Sequence, residues 1–142
     1  MSEDLYQKAL LRLASSAHGA GRLGEPCCSA RAANAMCGDS VIFDARIDAA
    51  RRIDAVANDL KGCVLVQASA SLLAAHAAGK TESEIRSLHA DVAAMLNGGD
   101  APAGDWSAYE VFKPAAAYRS RHSCVLLPIE ALMSALKDCQ PA

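Results

Sequence analysis

Apolar residues follow two regimes along this chain, first the two-residue period of strands and then the wider spacing of helices. Between residues 40 and 48 they alternate, with Val41, Phe43, Ala45 and Ile47 on one side of an extended segment. That pattern predicts a half-buried strand. A turn near Ala49-Ala50 leads to a second strand over 52–60, and the short separation predicts an antiparallel hairpin. A strand around 30–36 would complete a small sheet. Ahead of it, residues 3–17 read as a helix capped by Ser2, with Leu5, Leu13 and Ala17 near one face. Residues 18–36 are irregular, broken by Gly19, Gly21, Gly24 and Pro26.

From Val64 the helical regime takes over. Residues 64–78 favour a helix stopped by Gly79. Thr81, with Glu84 three residues on, has the form of a capping box and opens a helix to about Leu96, closed by Asn97-Gly98-Gly99. A polar loop runs through Gly104. Asp105 can cap a short helix through Val111, which Pro114 should end, and residues 118–137 read as a closing helix with Pro128 awkwardly in its middle. Strands followed by helices predict an α+β fold, a small three-stranded antiparallel sheet with helices packed on one face.

Composition narrows the class. At 142 residues the chain reads as a single domain, 1–142, and at 52% hydrophobic it can bury a core. With aromatics at only 4%, that core is expected to be built from Ala, Leu, Val and Ile. A net charge of -2 offers no electrostatic footprint for nucleic acid. No apolar run approaches the ~20 residues needed to span a membrane. The acidic start, Met1-Ser2-Glu3-Asp4-Leu5, lacks the positive-then-apolar order of a signal peptide, so a cytoplasmic protein is expected. In that setting six cysteines suggest buried thiols, metal ligands or reactive groups rather than disulfides.

The cysteines do not look alike. In Cys37-Gly38-Asp39, directly before the alternating strand, a soft sulfur and a hard oxygen flank a glycine turn and can face one small volume, half of a metal site. Gly62-Cys63 ends a strand and opens a helix, where the macrodipole and unpaired N–H groups favour thiolate. Cys124 lies near another expected helix start, three residues after Arg121, whose guanidinium would also favour thiolate.

Asn34-Ala35-Met36-Cys37-Gly38-Asp39, Gly62-Cys63 followed by Ala68-Ser69-Ala70-Ser71, Gly79-Lys80-Thr81, and Arg121-x-x-Cys124 with Ala131-Leu132 occur in this order. The order resembles the NifU N-terminal/IscU/SufU family of iron–sulfur assembly proteins over about residues 5–137. The resemblance implies that Cys37, Asp39, Cys63 and Cys124 converge to hold zinc or a transient iron–sulfur cluster. The long connection from Glu82 to Ser120, Ser123 directly before Cys124, and Arg121 are similar to the SufU type. The Leu-Pro-Pro-Val-Lys segment of IscU proteins is absent, with Ala115-Ala116-Ala117-Tyr118-Arg119 in its place. SufU likeness implies a scaffold or zinc-bound acceptor taking persulfide sulfur from a cysteine desulfurase at Cys124, for downstream apo iron–sulfur proteins. Three thiolates and a carboxylate suit tetrahedral zinc, with Asp39 the hardest and most exchangeable donor.

Ala35, Asn58, Leu60, Val125 and Pro128 depart from the family pattern, which keeps open an alternative, a divergent binding module with a structural zinc site. A thiol-dependent hydrolase would need a histidine placed against a nucleophile. Of the histidines, His122 can face the site only from an extended segment, His18 with Arg22 reads as loop bracing, and His76 and His89 sit on helices and read as non-functional. Arg121 is the better candidate for tuning Cys124 or meeting a partner. Cys27 and Cys28 read as spare thiols, Cys139 lies in the C-terminal tail, and Ala68–Ser71 reads as a close-packed helix face.

Overall fold

The computed structural model describes residues 7–35 and 38–141. Helix α1 (Lys8–Ser16) precedes three strands, β1 (Cys28–Asn34), β2 (Asp39–Ile47) and β3 (Ile53–Lys61). They form one antiparallel sheet in the order β1-β2-β3. Helices α2 (Val64–His76) and α3 (Glu82–Leu96), a 3-10 segment (Gly104–Ala117) and helix α4 (Arg119–Leu136) follow. The α+β architecture matches the expectation. Ser2 and Leu5, expected in the first helix, lie outside the described residues. Within α1 the buried anchor is Leu10. β1 begins at Cys28 rather than near residue 30, because the small side chains of Ser29, Ala30, Ala32 and Ala33 give little contrast between faces.

The alternation in β2 decides which way the sheet faces. Val41, Phe43 and Ala45 are fully buried and stand beside Ala32, Ala30 and Cys28 of β1 and Leu60, Asn58 and Val56 of β3. Helix α4 crosses β1 and β2 on this face, and α2 packs against β3 and α4. Each large apolar side chain buried here is worth about 1.5–3 kcal/mol. Helix α2 is buried nearly all round, including Ala68, Ser69, Ala70 and Ser71, as a central helix must be. Their small side chains let α1 and α4 approach closely, so the segment is a packing face. Helix α3 carries the expected capping box between Thr81 and Glu84.

Two expectations need correction. The core is not purely aliphatic: Phe43 and a cluster of Trp106, Tyr109 and Phe112 are buried in it, with centroids 6.2 Å and 5.4 Å apart along the cluster. Few aromatics are present, but the 3-10 segment turns these inward. Pro114 does not end that segment, which runs on to Ala117. A 3-10 turn needs an N–H at residue 114 to satisfy the Val111 carbonyl, and proline has none. Gln7 Nε2 donates to that carbonyl instead, at 3.1 Å. The closing helix expected over 118–137 is present as α4 and runs through Pro128.

A third correction concerns the cysteines. Cys28 and Cys139, 111 residues apart in sequence, form a disulfide with Cα atoms 5.9 Å apart, whereas Cys27 keeps a free thiol. The spare-thiol reading therefore holds for Cys27 alone. The pairing depends on how α4 ends over the sheet, which sequence spacing does not encode.

Candidate metal centre

Three separate elements bring donors to one point. Asp39 opens β2 after a turn in which Gly38 adopts φ +73 and donates its N–H to the Asn34 carbonyl at 2.9 Å. A side chain at that left-handed position would be strained. Cys63 is the N-cap of α2. Gly62 before it has Val66 where a β-carbon would sit, at 2.9 Å, so the chain can turn from β3 into α2 this tightly only with glycine there. Cys124 lies in the second turn of α4 and is fully buried.

One side-chain donor atom from each of Asp39, Cys63 and Cys124 lies within 4.8 Å of the others. A tetrahedral zinc with bonds to sulfur of about 2.3 Å needs donors about 3.8 Å apart. The observed spacing closes on such an ion with small side-chain adjustments. Two soft sulfurs and a carboxylate are also a ligand set suited to zinc or iron. Cys37, the remaining donor implied by the sequence, lies outside the described residues.

The two thiols differ electrostatically. The hydrogen bond from Cys124 pulls the Cys63 pKa down to about 6, despite partial burial, with help from the Val66 and Leu65 amides at the start of α2. Cys124 is pushed well up, first by its interaction with the Cys63 sulfur and then by burial; its S–H donates to Asp39 Oδ2 at 3.4 Å. The helix start therefore favours thiolate at Cys63 but not at Cys124, which sits one turn too deep into α4 to meet unpaired amides. Arg121 is half-buried three residues earlier on the same helix, one turn from Cys124.

Surrounding polar contacts fix the arrangement, and sequence reading missed most of them. Ser69 Oγ donates to the Val125 carbonyl at 2.7 Å and is itself 3.2 Å from the Tyr109 hydroxyl. Pro128 supplies no N–H to the Cys124 carbonyl one turn earlier, so the Ser69 tether secures a turn of α4 that lacks a regular helical bond. Asn34 Nδ2 donates to Ser123 Oγ at 2.7 Å, joining the end of β1 to the residue beside Cys124.

Arg22 braces the loop before β1 as expected, through bonds of 2.8 and 3.1 Å to Asp44. Asp44 is fully buried and also accepts from the Leu23 amide at 2.9 Å and from Ser29 Oγ. A lone carboxylate inside the Val41–Ile47 alternation was the available signal. The His18 amide donates to Ser71 Oγ, and Asn58 Nδ2 donates to the His18 carbonyl, each at 3.1 Å. Asn58, a departure from the family pattern, thus pins the same loop to β3.

His122 Nε2 lies 3.1 Å from the Ala116 carbonyl, His76 packs edge-on to Trp106, and His89 pairs with Glu130 at 2.9 Å. Among the described residues the metal-capable group contains no histidine, which leaves the hydrolase reading without its base. No helix among the described residues is long and apolar enough to cross a membrane.

Comparison with known proteins agrees with this layout. The chain is 29% identical over 137 residues to the iron–sulfur cluster assembly scaffold protein IscU of Thermotoga maritima, covering 94% of this chain and 93% of the relative. The crystal structure of a nitrogen-fixing NifU-like protein (N-terminal) from Brucella abortus superposes with a TM-score of 0.91 at 29% identity, covering 96% of this chain and 94% of that one. A putative SUF-system scaffold protein from Fervidobacterium islandicum shares the fold, with a TM-score of 0.82 at 24% identity over 96% of this chain and 99% of its own. Residues 5–125 match the family described as the NifU-like N-terminal domain, and the chain belongs to that family of iron–sulfur cluster assembly scaffolds.

Proposed function

We propose that this protein is a SufU-type assembly scaffold that holds zinc or a nascent iron–sulfur cluster on Cys37, Asp39, Cys63 and Cys124. It accepts persulfide sulfur from a cysteine desulfurase at Cys124 and passes it on toward apo iron–sulfur proteins. The observation carrying this reading is the convergence of Asp39, Cys63 and Cys124 from three different elements. The family likeness and Ser123 before the last cysteine support the sulfur-acceptor form of the reading.

The chain's own groups account for the transfer. Cys124 gives its proton to Asp39, which already accepts from it, or to Cys63 beside it. Its thiolate then attacks the outer sulfur of the desulfurase persulfide. The desulfurase cysteine leaves as thiolate, and Cys124 becomes the persulfide. Because Cys124 is fully buried, docking must open the site, and Asp39, the hardest donor, is the one best suited to yield.

Metal analysis of protein purified without chelator should find about one zinc or iron per chain under tetrahedral binding. Cys124→Ala should lose the stimulation of desulfurase turnover that wild type gives. Absence of both metals together with fully reactive thiols at Cys63 and Cys124 would sink the metal reading. Equal stimulation by wild type and Cys124→Ala would remove Cys124 as acceptor. Bound metal with no stimulation by either protein would favour the non-assembling module.

A further inference from the structure

We propose that Cys28 and Cys139 form a thiol–disulfide exchange site, open to small-molecule thiols, whose oxidised form locks the end of α4 to the edge strand β1. The geometry of the C-terminus is organised around the bridge. Helix α4 ends at Leu136, Asp138 takes a left-handed conformation with φ +60, and the Cys139 amide donates back to the Leu136 carbonyl at 3.1 Å. Arg51 reaches across from the β2–β3 turn and donates to the Cys139 carbonyl at 3.0 Å. These contacts seat Cys139 against the first residue of β1, with only 3% of its surface exposed.

Strand β1 pairs with β2 on one side only, so its hold on the fold depends on α4. The pair is fastened at both ends. Cys28–Cys139 joins them at one end, and Asn34–Ser123 joins them at the other, beside the metal donors. The bridge thus sits at the far end of the helix that carries Cys124. It shares no residue with the metal centre and does not depend on metal binding.

Access is from one side. A cavity of about 340 Å³ lined by Pro26, Cys27, Cys28, Arg46 and Asp138 opens at the bridge, and Cys28 is half-buried where Cys139 is enclosed. An incoming thiolate therefore attacks Cys28 Sγ. The disulfide breaks, its electron pair leaves on the Cys139 sulfur, and a mixed disulfide forms on Cys28. A second thiolate attacks the reductant's sulfur and releases Cys28. Two reductant thiols become one disulfide, while the two protein sulfurs gain two electrons and the two protons given up by the reductant. Cys27, on the same cavity, cannot pair with its neighbour Cys28 without strain and remains a free thiol.

The test equilibrates chelator-treated full-length protein in glutathione buffers of varied ratio, then denatures, alkylates and maps it. Tryptic peptide 23–31 carries both Cys27 and Cys28, so Cys27→Ser is run alongside wild type. A cross-link from 23–31 to 138–142, retained in Cys27→Ser and lost in one two-electron transition, is expected. Reduction should lower the wild-type melting temperature by about 10 °C or more, as expected for a link closing so long a loop. Cys28→Ser/Cys139→Ser should melt low with or without reductant. Alkylation of both Cys28 and Cys139 across the whole series, a bridge that disappears in Cys27→Ser, or a wild-type melting temperature indifferent to reductant would each overturn the proposal.

Discussion

Arg22→Ala is expected to lower the urea unfolding midpoint near neutral pH, because it strips the fully buried Asp44 carboxylate of its guanidinium partner, although Arg22 itself is half exposed. The loss should shrink as the solution is acidified. In the wild type, burial alone would raise the Asp44 pKa. Hydrogen bonds from Arg22, Ser29 and the Leu23 amide, with the Arg22 charge, more than offset it and hold the carboxyl below its ordinary value. A depressed carboxylate contributes stability above its unfolded pKa of about 3.9, and that stability is lost as pH falls through the folded value. Removing Arg22 leaves Asp44 buried with two neutral donors, so its folded pKa moves up from the depressed value. The variant then lacks neutral-pH stability that the wild type has, and the two proteins converge as protonation of Asp44 removes that stability from the wild type. Urea midpoints of both proteins near neutral pH and at about pH 2–3, below the ordinary carboxylate pKa, measure this. A deficit that is constant or grows toward acid would show that Arg22 does not hold the Asp44 charge. Asp44→Ala should cost less, about 1–2 kcal/mol, since it removes the buried charge and leaves Arg22 able to turn into solvent.

What the sequence revealed and what it concealed divide along physical lines. The strand–strand–helix order was legible because Val41, Phe43, Ala45 and Ile47 alternate cleanly, and the α3 start was legible because a capping box is a local bond between Thr81 and Glu84. The approach of Asp39, Cys63 and Cys124 was legible through the family resemblance, since nothing local to each residue requires it. Contacts made by side chains of distant segments were not legible. The Cys28–Cys139 bridge, the Asn34–Ser123 bond and the Ser69 tether to Val125 each depend on where α4 crosses the sheet. Pro114 misled for a specific reason: it removes an N–H, and the expectation that it ends its helix assumed that no other adjustment was available. Gln7 supplies the missing donor at Val111, and around Pro128 the helix is held by Ser69 and the burial of Val125, Leu127 and Ile129.

Cys63→Ala is expected to reduce the affinity for zinc by about 10²–10³-fold, taking the proposed four-ligand site as worth about 10–16 kcal/mol and dividing it roughly evenly among donors. The change also alters the surroundings of Cys124, because the two sulfurs and the Asp39 carboxylate lie within 4.8 Å of one another. Cys63 is also the thiol already poised as thiolate without metal, with its pKa near 6. Wild-type affinity should therefore weaken steeply as pH falls through about 6, where protons begin to compete for that sulfur. In Cys124→Ala the bond that lowers the Cys63 pKa most is gone, so the midpoint for alkylation of Cys63 in metal-free protein should move up. Competition titration with a chromogenic chelator reads the affinities, and iodoacetamide rates against pH read the midpoints. Unchanged affinity in Cys63→Ala, or a Cys63 midpoint unmoved by Cys124→Ala, would show that the two sulfurs do not share one site. In the proposed sulfur transfer the pairing matters because Cys124 is the buried, protonated sulfur, and Asp39 and the half-exposed Cys63 beside it are the acceptors available for its proton.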